Sequence, residues 1–479
     1  MSTQPSTSSS LVVPANFIQA VRESGYLSLS TAVAELIDNS LQAEASEVSI
    51  SITSEPSTGL PQIRIQDNGV GMSRSELEDC LRFGGSGRFN GRSSFGRFGM
   101  GLPAASLSQA RRVEVAAWQN SGPILQVALD VDAIAAGGSA KLRARRLGLS
   151  ETDSGCSVTW RSCDRIDYRR LGWLDRALRR DLGRMYRRFL SRGLSLSING
   201  VAVEPDDPMM LGKLAEGASA SVAFDDRAYE LAVPGGGTAQ VLVRFAILPV
   251  SRWHRLDNVT KRRLGIVGGG GVSVLRAGRE IAHGWYLMGN KRKENYDDWW
   301  RCEIEFEPVL DEHFGITINK QGIRPSPELR DALAPELESI ARILNTRVRQ
   351  AFEDVKFQSA ATVSCMVAEA ADADLPVLSD TGGGGHSLHY RIGTAQLPTG
   401  SMLSANLQDG TLDVQLNVDH PAFKAIYQPL QALPDETGSG LRTAIELLVL
   451  ALGRSAVSEN ARDFIDQVGE TYGRMLQKA

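Results

Sequence analysis

The sequence predicts an α+β protein of several domains, the first being a helical layer on a mostly antiparallel sheet. Three observations predict it. Thr31 to Ala45 has helical periodicity, with Val33, Leu36, Ile37 and Ser40 on one face. Residues 47–53, 62–66, 111–118, 124–131 and 156–160 read as short strands. Between them, Phe83 to Gly101 holds Gly84, Gly85, Gly87, Gly91, Gly96, Gly99 and Gly101, a loop feeding a helix that Pro103 can open.

The chain of 479 residues is too long for one ordinary core, so two or three domains are expected. A formal net charge of -4 points to neither a nucleic-acid nor a membrane partner. No apolar run has the length of a membrane span. Met1 to Ser10 is Ser/Thr-rich, without a basic start or an apolar stretch, and reads as part of a disordered leader (1–15) rather than a signal peptide. Five scattered cysteines form no CxxC pair, which favours a reducing cytoplasm.

The helix over 31–45 presents more than a core stripe. Glu35, Asp38 and Asn39 are neighbours on its other side, because i, i+3 and i+4 adjoin on a helix. A carboxylate there can hold and deprotonate a water, and an amide oxygen can sit on a hard cation such as magnesium. An ordinary polar helix face is the alternative. Next, the strand at 62–66 runs into Asp67-Asn68-Gly69-Val70-Gly71-Met72. Its glycines let the backbone turn and let a flat ligand approach, although Asn-Gly is also a common plain turn. Ser73 and Glu76 have the spacing of a capping box. The glycine-rich loop before a helix N-terminus suits an anion, and its interleaved phenylalanines argue against a simple linker.

Glu35-x-x-x-Asn39, Asp67-x-Gly69-x-Gly71 and the Gly96 to Leu102 loop resemble, in order and approximate spacing, the motifs of the GHKL ATPases. That superfamily covers DNA gyrase B, the heat-shock chaperone of the same class, the histidine kinases and MutL. The wording of the motifs looks closest to the microrchidia (MORC) branch. The resemblance covers roughly Phe17 to Trp160 and implies a two-layer α/β sandwich of the GHKL (Bergerat) type. It implies Glu35 as the general base, Asn39 as the magnesium ligand and Asp67 as reader of the adenine amino group. Gly69 and Gly71 would shape the base pocket, with Met72 as an apolar wall, and Gly99, Met100, Gly101 and Leu102 would wrap the triphosphate of ATP. The MORC pattern has a lysine where this chain has Pro103, so Arg97 or a residue elsewhere has to supply the missing cation. Asp38 is left outside the site.

The resemblance extends to a transducer-like (ribosomal S5-type) domain over 164–325. Within it, residues 271–281 read as strand–turn–strand and Trp299 to Phe306 as an amphipathic strand. Asn319-Lys320-Gln321, taken to follow a strand, resembles the loop whose lysine reaches the γ-phosphate; a surface lysine is the alternative. Arg165, Arg169, Arg170, Arg176, Arg179, Arg180, Arg184, Arg187, Arg188 and Arg192 form a run that reads first as a solvated helix and leaves DNA contact open. A helical connector (326–371) with Leu329, Leu333, Leu337, Ile340, Ile343, Leu344 and Val348 as its stripe, and Pro335 as a kink or break, leads to a linker (372–388). A C-terminal α+β module (389–479) is expected to serve dimerisation or a protein partner. His420 has no partner at metal-ligand spacing and reads as a capping or packing residue.

The resemblance thus implies a magnesium-dependent ATPase that dimerises on ATP and acts as a clamp or remodeller, plausibly on DNA. A nucleotide-switched scaffold with incidental hydrolysis is the alternative. A superfamily protein kinase is disfavoured, because no helical histidine box precedes Glu35.

Overall fold

The computed structural model describes residues 13–26, 28–84, 100–137, 142–166, 170–212, 217–233, 236–316, 322–376, 378, 388–398, 400–432, 435–457 and 461–476. The chain divides into two compact units, Met1–Asn345 and Thr346–Ala479.

The first unit opens with α1 (Pro14–Ser24), α2 (Leu29–Gln42), β1 (Glu47–Ser54), β2 (Pro61–Asp67), α3 (Arg74–Asp79) and α4 (Gly101–Gln109). The Ser28 side chain caps α2 by accepting from the Thr31 amide at 3.2 Å. Ser73 and Glu76 form the expected capping box on α3. Then come β3 (Arg112–Trp118), β4 (Pro123–Asp130), α5 (Val131–Ala135), β5 (Arg145–Leu149), β6 (Gly155–Arg161), α6 (Leu171–Met185), α7 (Arg187–Leu190), β7 (Ser195–Ile198) and β8 (Val201–Ala202). The strands make one sheet in the order β5-β4-β3-β6-β2-β1-β7-β8. Its pairs are antiparallel except β1 with β7. Ile50 lies opposite Ile65, which pairs with Val158 in turn, and alternate residues face the helices.

This sheet does not stop at residue 163. The Asn199-Gly200 hairpin adds β7 and β8 to its edge, and Leu174, Leu178 and Leu182 of α6 join the core of α2 and β1. The amphipathic stripe of α6 needs an apolar surface to cover, and the sheet provides it.

A second sheet follows: β9 (Ser221–Val222), β10 (Arg227–Ala232), β11 (Thr238–Ile247), then α8 (Val250–Trp253), α9 (Asn258–Arg263), β12 (Val272–Arg276), β13 (Arg279–Gly284) and β14 (Trp300–Phe306). Its order is β10-β11-β14-β12-β13, with β9 beside β11. The strand–turn–strand at 271–281 is the β12–β13 hairpin, turning at Ala277 and Gly278, both with positive φ. β14 is covered on both faces rather than one. Trp300, Cys302, Ile304 and Phe306 are buried, and so are Arg301 and Glu303 on the opposite side. That charged side is buried because α6 and α7 bring arginines to it. Arg187 bonds Glu280 and Glu303, each at 2.6 Å, and Arg188 pairs with Glu303. Arg184 reaches Glu280 at 2.6 Å, and Arg244 of β11 reaches Glu303 at 3.1 Å.

α10 (Asp311–Phe314) ends on left-handed Gly315, and Thr317 and Ile318, on which the expected strand before Asn319-Lys320-Gln321 falls, lie outside the described residues. That stretch, with Lys320, lies outside the described residues. α11 (Pro327–Ala360) carries Pro335 without a break, and Ile343 of the expected stripe is 44% exposed.

The second unit holds α12 (Thr362–Ala371), β15 (His389–Ala395), β16 (Leu403–Gln408), β17 (Thr411–Asn417), α13 (Gln428–Ala432), α14 (Asp435–Ala456) and α15 (Arg462–Leu476). β17 is central, parallel to β15 and antiparallel to β16. His420 is buried; its Nδ1 accepts from the Ala422 amide at 3.1 Å and its Nε2 donates to the Gly469 carbonyl at 3.0 Å. Both nitrogens are used inside the fold, as a capping residue requires. All five cysteines are free.

Arg187→Met removes the cation shared by Glu280 and Glu303 and leaves charge buried, so it is expected to destabilise the fold by about 3 kcal/mol in urea unfolding. Burial alone would raise the Glu303 pKa, but Arg187 and Arg188 outweigh it and hold the carboxyl below its ordinary value. Its contribution is therefore complete above the unfolded value of about 4.3 and is lost as pH falls through the lower folded value. Unfolding followed against pH should show that loss below about pH 4 in the parent chain and a smaller one in Arg187→Met.

Candidate functional site

The predicted site residues collect on α2 because that helix is buried on nearly every side. Ala32 to Asp38 and Ser40 are all buried, and Asn39 is half-buried. Three neighbours approach it. The Gly101 Cα at the start of α4 lies so close to Glu35 that a Cβ there would stand 2.0 Å from Oε1. A Cβ there would have to push the Glu35 carboxylate aside. The approach sets the Glu35 carboxylate beside the first turn of α4, whose backbone N–H groups favour negative charge. Tyr26, from the turn before α2, is buried with its hydroxyl beside Glu35. Burial and that carboxylate both keep the phenol proton on.

The second neighbour is the turn after β2. Ser40 donates to Asp67 Oδ2 at 2.8 Å, and the Gly69 amide donates to Oδ1 at 3.0 Å. Burial raises the Asp67 pKa above its ordinary value, against the opposing pull of Ser40, Gly69 and the Cys156 backbone. Each carboxylate oxygen keeps acceptor capacity for a further donor. The turn is pinned by contacts that tolerate no side chain. A Cβ on Gly69 would meet the Ala43 carbonyl at 2.6 Å, and one on Gly71, at φ +69°, the Trp118 carbonyl at 2.1 Å. The Val70 amide bonds the Ala43 carbonyl at 2.9 Å, tying the turn to the end of α2. Met72 and Leu102 are half-buried against the same core.

The third neighbour is one the sequence did not suggest. Asp38, left outside the predicted site, has no exposed surface. Tyr186, between α6 and α7, contacts its Oδ1 at 2.7 Å and the Ala34 carbonyl at 2.6 Å through the same hydroxyl. Arg279 of β13 pairs with Oδ2. Burial opposes the Arg279 charge, but Asp38 overrides it and keeps the guanidinium protonated above its ordinary range. The only sequence signal was a third polar residue beside Glu35 and Asn39.

Asn39 fits a cation ligand. Among the described residues no hydrogen bond occupies its side-chain amide. Arg97 and Gly99 lie outside the described residues, while Met100 is half-buried at the cap of α4. Glu35, Asn39, Asp67, Gly69, Gly71, Met72, Met100, Gly101 and Leu102 thus lie on or against α2 and its neighbouring turn. A carboxylate, an open amide and a second, partly satisfied carboxylate are available there beside a helix N-terminus.

No curated protein matches the chain. Residues 27–156, the segment that carries this arrangement, match the family described as Histidine kinase-, DNA gyrase B-, and HSP90-like ATPase, which supports a GHKL-type ATPase domain and, with it, ATP binding.

Proposed function

We propose that this chain is a magnesium-dependent ATPase of the GHKL type that closes as a dimer when ATP binds. The observation that carries the reading is the convergence on α2. Glu35 sits against Gly101, and Ser40 of the same helix holds the Asp67 carboxylate. Asp67 would accept from the adenine amino group, with Gly69 and Gly71 clearing room for the ring. Asn39 would hold magnesium, which neutralises phosphate charge when bound with the nucleotide. Glu35 would orient and deprotonate the attacking water, and Met100, Gly101 and Leu102 would line the phosphates with Arg97 and Gly99. Lys320 would supply the γ-phosphate with a cation from the second sheet's domain, making interdomain geometry sensitive to the nucleotide. The MORC-like character and a role for the C-terminal module in partner binding or dimerisation remain part of this proposal.

DNA is the partner we propose for the clamp, but on a different surface from the arginine run at 165–192. Within that run Arg179, Arg184, Arg187 and Arg188 are bound to acids of the fold, and Arg165 to the Arg22 carbonyl. Arg170, Arg176, Arg180 and Arg192 are exposed. Arg170, Arg176 and Arg192 have no ion pair among the described residues, but in the segments of Arg252, Arg255, Arg262, Arg263 and Arg292 each of these arginines is exposed and none is committed to an acid among the described residues. The 252–255 and 261–263 segments are neighbours, since Lys261 bonds the His254 carbonyl at 2.6 Å, while Lys293, next to Arg292, bonds the Gly270 carbonyl at 3.1 Å. Unpaired guanidinium groups of this kind suit a phosphate backbone.

Glu35→Gln is expected to retain ATP affinity and to lower phosphate release by about 10²-fold or more. Loss of affinity instead would make Glu35 a structural residue, and unchanged turnover would remove it from the reaction. For DNA, duplex binding measured across salt is expected to weaken steeply, and Arg262→Ala with Arg263→Ala to reduce the salt slope by about 2. Absence of binding at low salt ends the DNA reading.

A further inference from the structure

Asp38 is one helical turn from Glu35 and directly precedes Asn39, yet its carboxylate is fully buried in a polar contact with Tyr186 and Arg279. Its partners come from two other places in the chain. Tyr186 follows α6, and its hydroxyl touches both the Asp38 carboxylate and the Ala34 carbonyl, so it grips side chain and backbone of α2 together. Arg279 follows the β12–β13 turn and is itself buried, with its guanidinium 5.8 Å from the centre of the Tyr186 ring. Among the described residues, the charged and titratable groups around Glu35 are Tyr26, Asp38, Tyr186 and Arg279. A second set of ion pairs, Arg184 and Arg187 with Glu280, fixes the strand that carries Arg279 against α6 and α7.

We propose that Arg279 and Tyr186 are positioning residues for ATP hydrolysis: by clamping Asp38 they hold α2 in the rotation that aims Glu35, so the second sheet has to be docked for hydrolysis but not for nucleotide binding. This rests on the ATPase reading above. Asp67, the adenine reader, is on β2 and is held on Oδ1 by Gly69, both off the clamped helix, and shares with α2 only its Ser40 contact. The water-activating carboxylate is on the clamped turn. A misaimed base is costly, because a displacement of about 1 Å can lower a rate by about 10²-fold.

The test uses the full-length chain, with ATP hydrolysis under saturating ATP, affinity for a non-hydrolysable ATP analogue, and amide hydrogen exchange of residues 34–40 without nucleotide. Wild type is assayed first. A wild type that neither binds nor hydrolyses ATP overturns the ATPase reading and this proposal together, and is recognised before any variant is made. Arg279→Met and Tyr186→Phe are expected to lower kcat by about 10-fold or more, to change analogue affinity less than about threefold, and to speed exchange over 34–40 while β1 and β2 keep their protection. Tyr186→Phe preserves the ring and its packing, so it remains informative if Arg279→Met fails to fold. Arg279→Lys keeps the charge and is expected to recover part of the lost kcat. Equal loss of affinity and kcat, unchanged kcat in Tyr186→Phe, or exchange unaltered over 34–40 overturns the proposal.

Discussion

A carboxylate with no exposed surface needs a cation or several donors beside it, because stripping an ion of water costs several kcal/mol. Asp38 is in that position, and Arg279 and Tyr186 answer it. The rest of the first unit follows from meeting this demand. The helix bearing Asp38 has to be enclosed, so its other polar residues have to find partners or ligands of their own. Ser40 finds Asp67, Glu35 finds the Gly101 approach with Tyr26 at its side, and the Asn39 amide has no hydrogen-bond partner among the described residues. One buried helix therefore gathers the groups that a nucleotide site uses.

The same solution recurs where the second sheet meets α6 and α7. Glu280 and Glu303 are buried, and Arg184, Arg187, Arg188 and Arg244 neutralise them. Ion pairs of this sort are orientation-sensitive, and breaking one leaves the partner charge uncompensated. Such a contact favours one docked arrangement over sliding. It also explains why an arginine-rich helix in a chain of net charge -4 is no simple polyanion footprint: several of its guanidinium groups are already committed inside the fold.

What the sequence disclosed was local in origin. The Asp67 to Met72 turn, the Ser73/Glu76 cap, the helix beginning at Gly101 and the Asn199-Gly200 hairpin all depend on residues a few positions apart. The pairings it hid are distant ones. Arg187 and Glu303 are 116 positions apart, and Asp38 and Arg279 are 241 apart. No periodicity links such residues, so Asp38 read as a spare polar group and the arginines as a solvated face. β5 escaped notice because Arg145–Leu149 is a short edge strand that opens on two arginines and leaves Leu147 and Leu149 exposed. The parallel pairing of β7 with β1 joins segments far apart, and it carries the first sheet past the residue-164 boundary that the resemblance implied.

The central claim is that residues gathered on and around α2 form one adenine-nucleotide site dependent on magnesium. Calorimetric titration of the full-length chain with a non-hydrolysable ATP analogue, in magnesium and again in excess chelator, tests it most directly. The account predicts saturable binding at one site per chain in magnesium, much weakened by the chelator and competed by ADP. No heat in either condition, or binding indifferent to both magnesium and ADP, would contradict it.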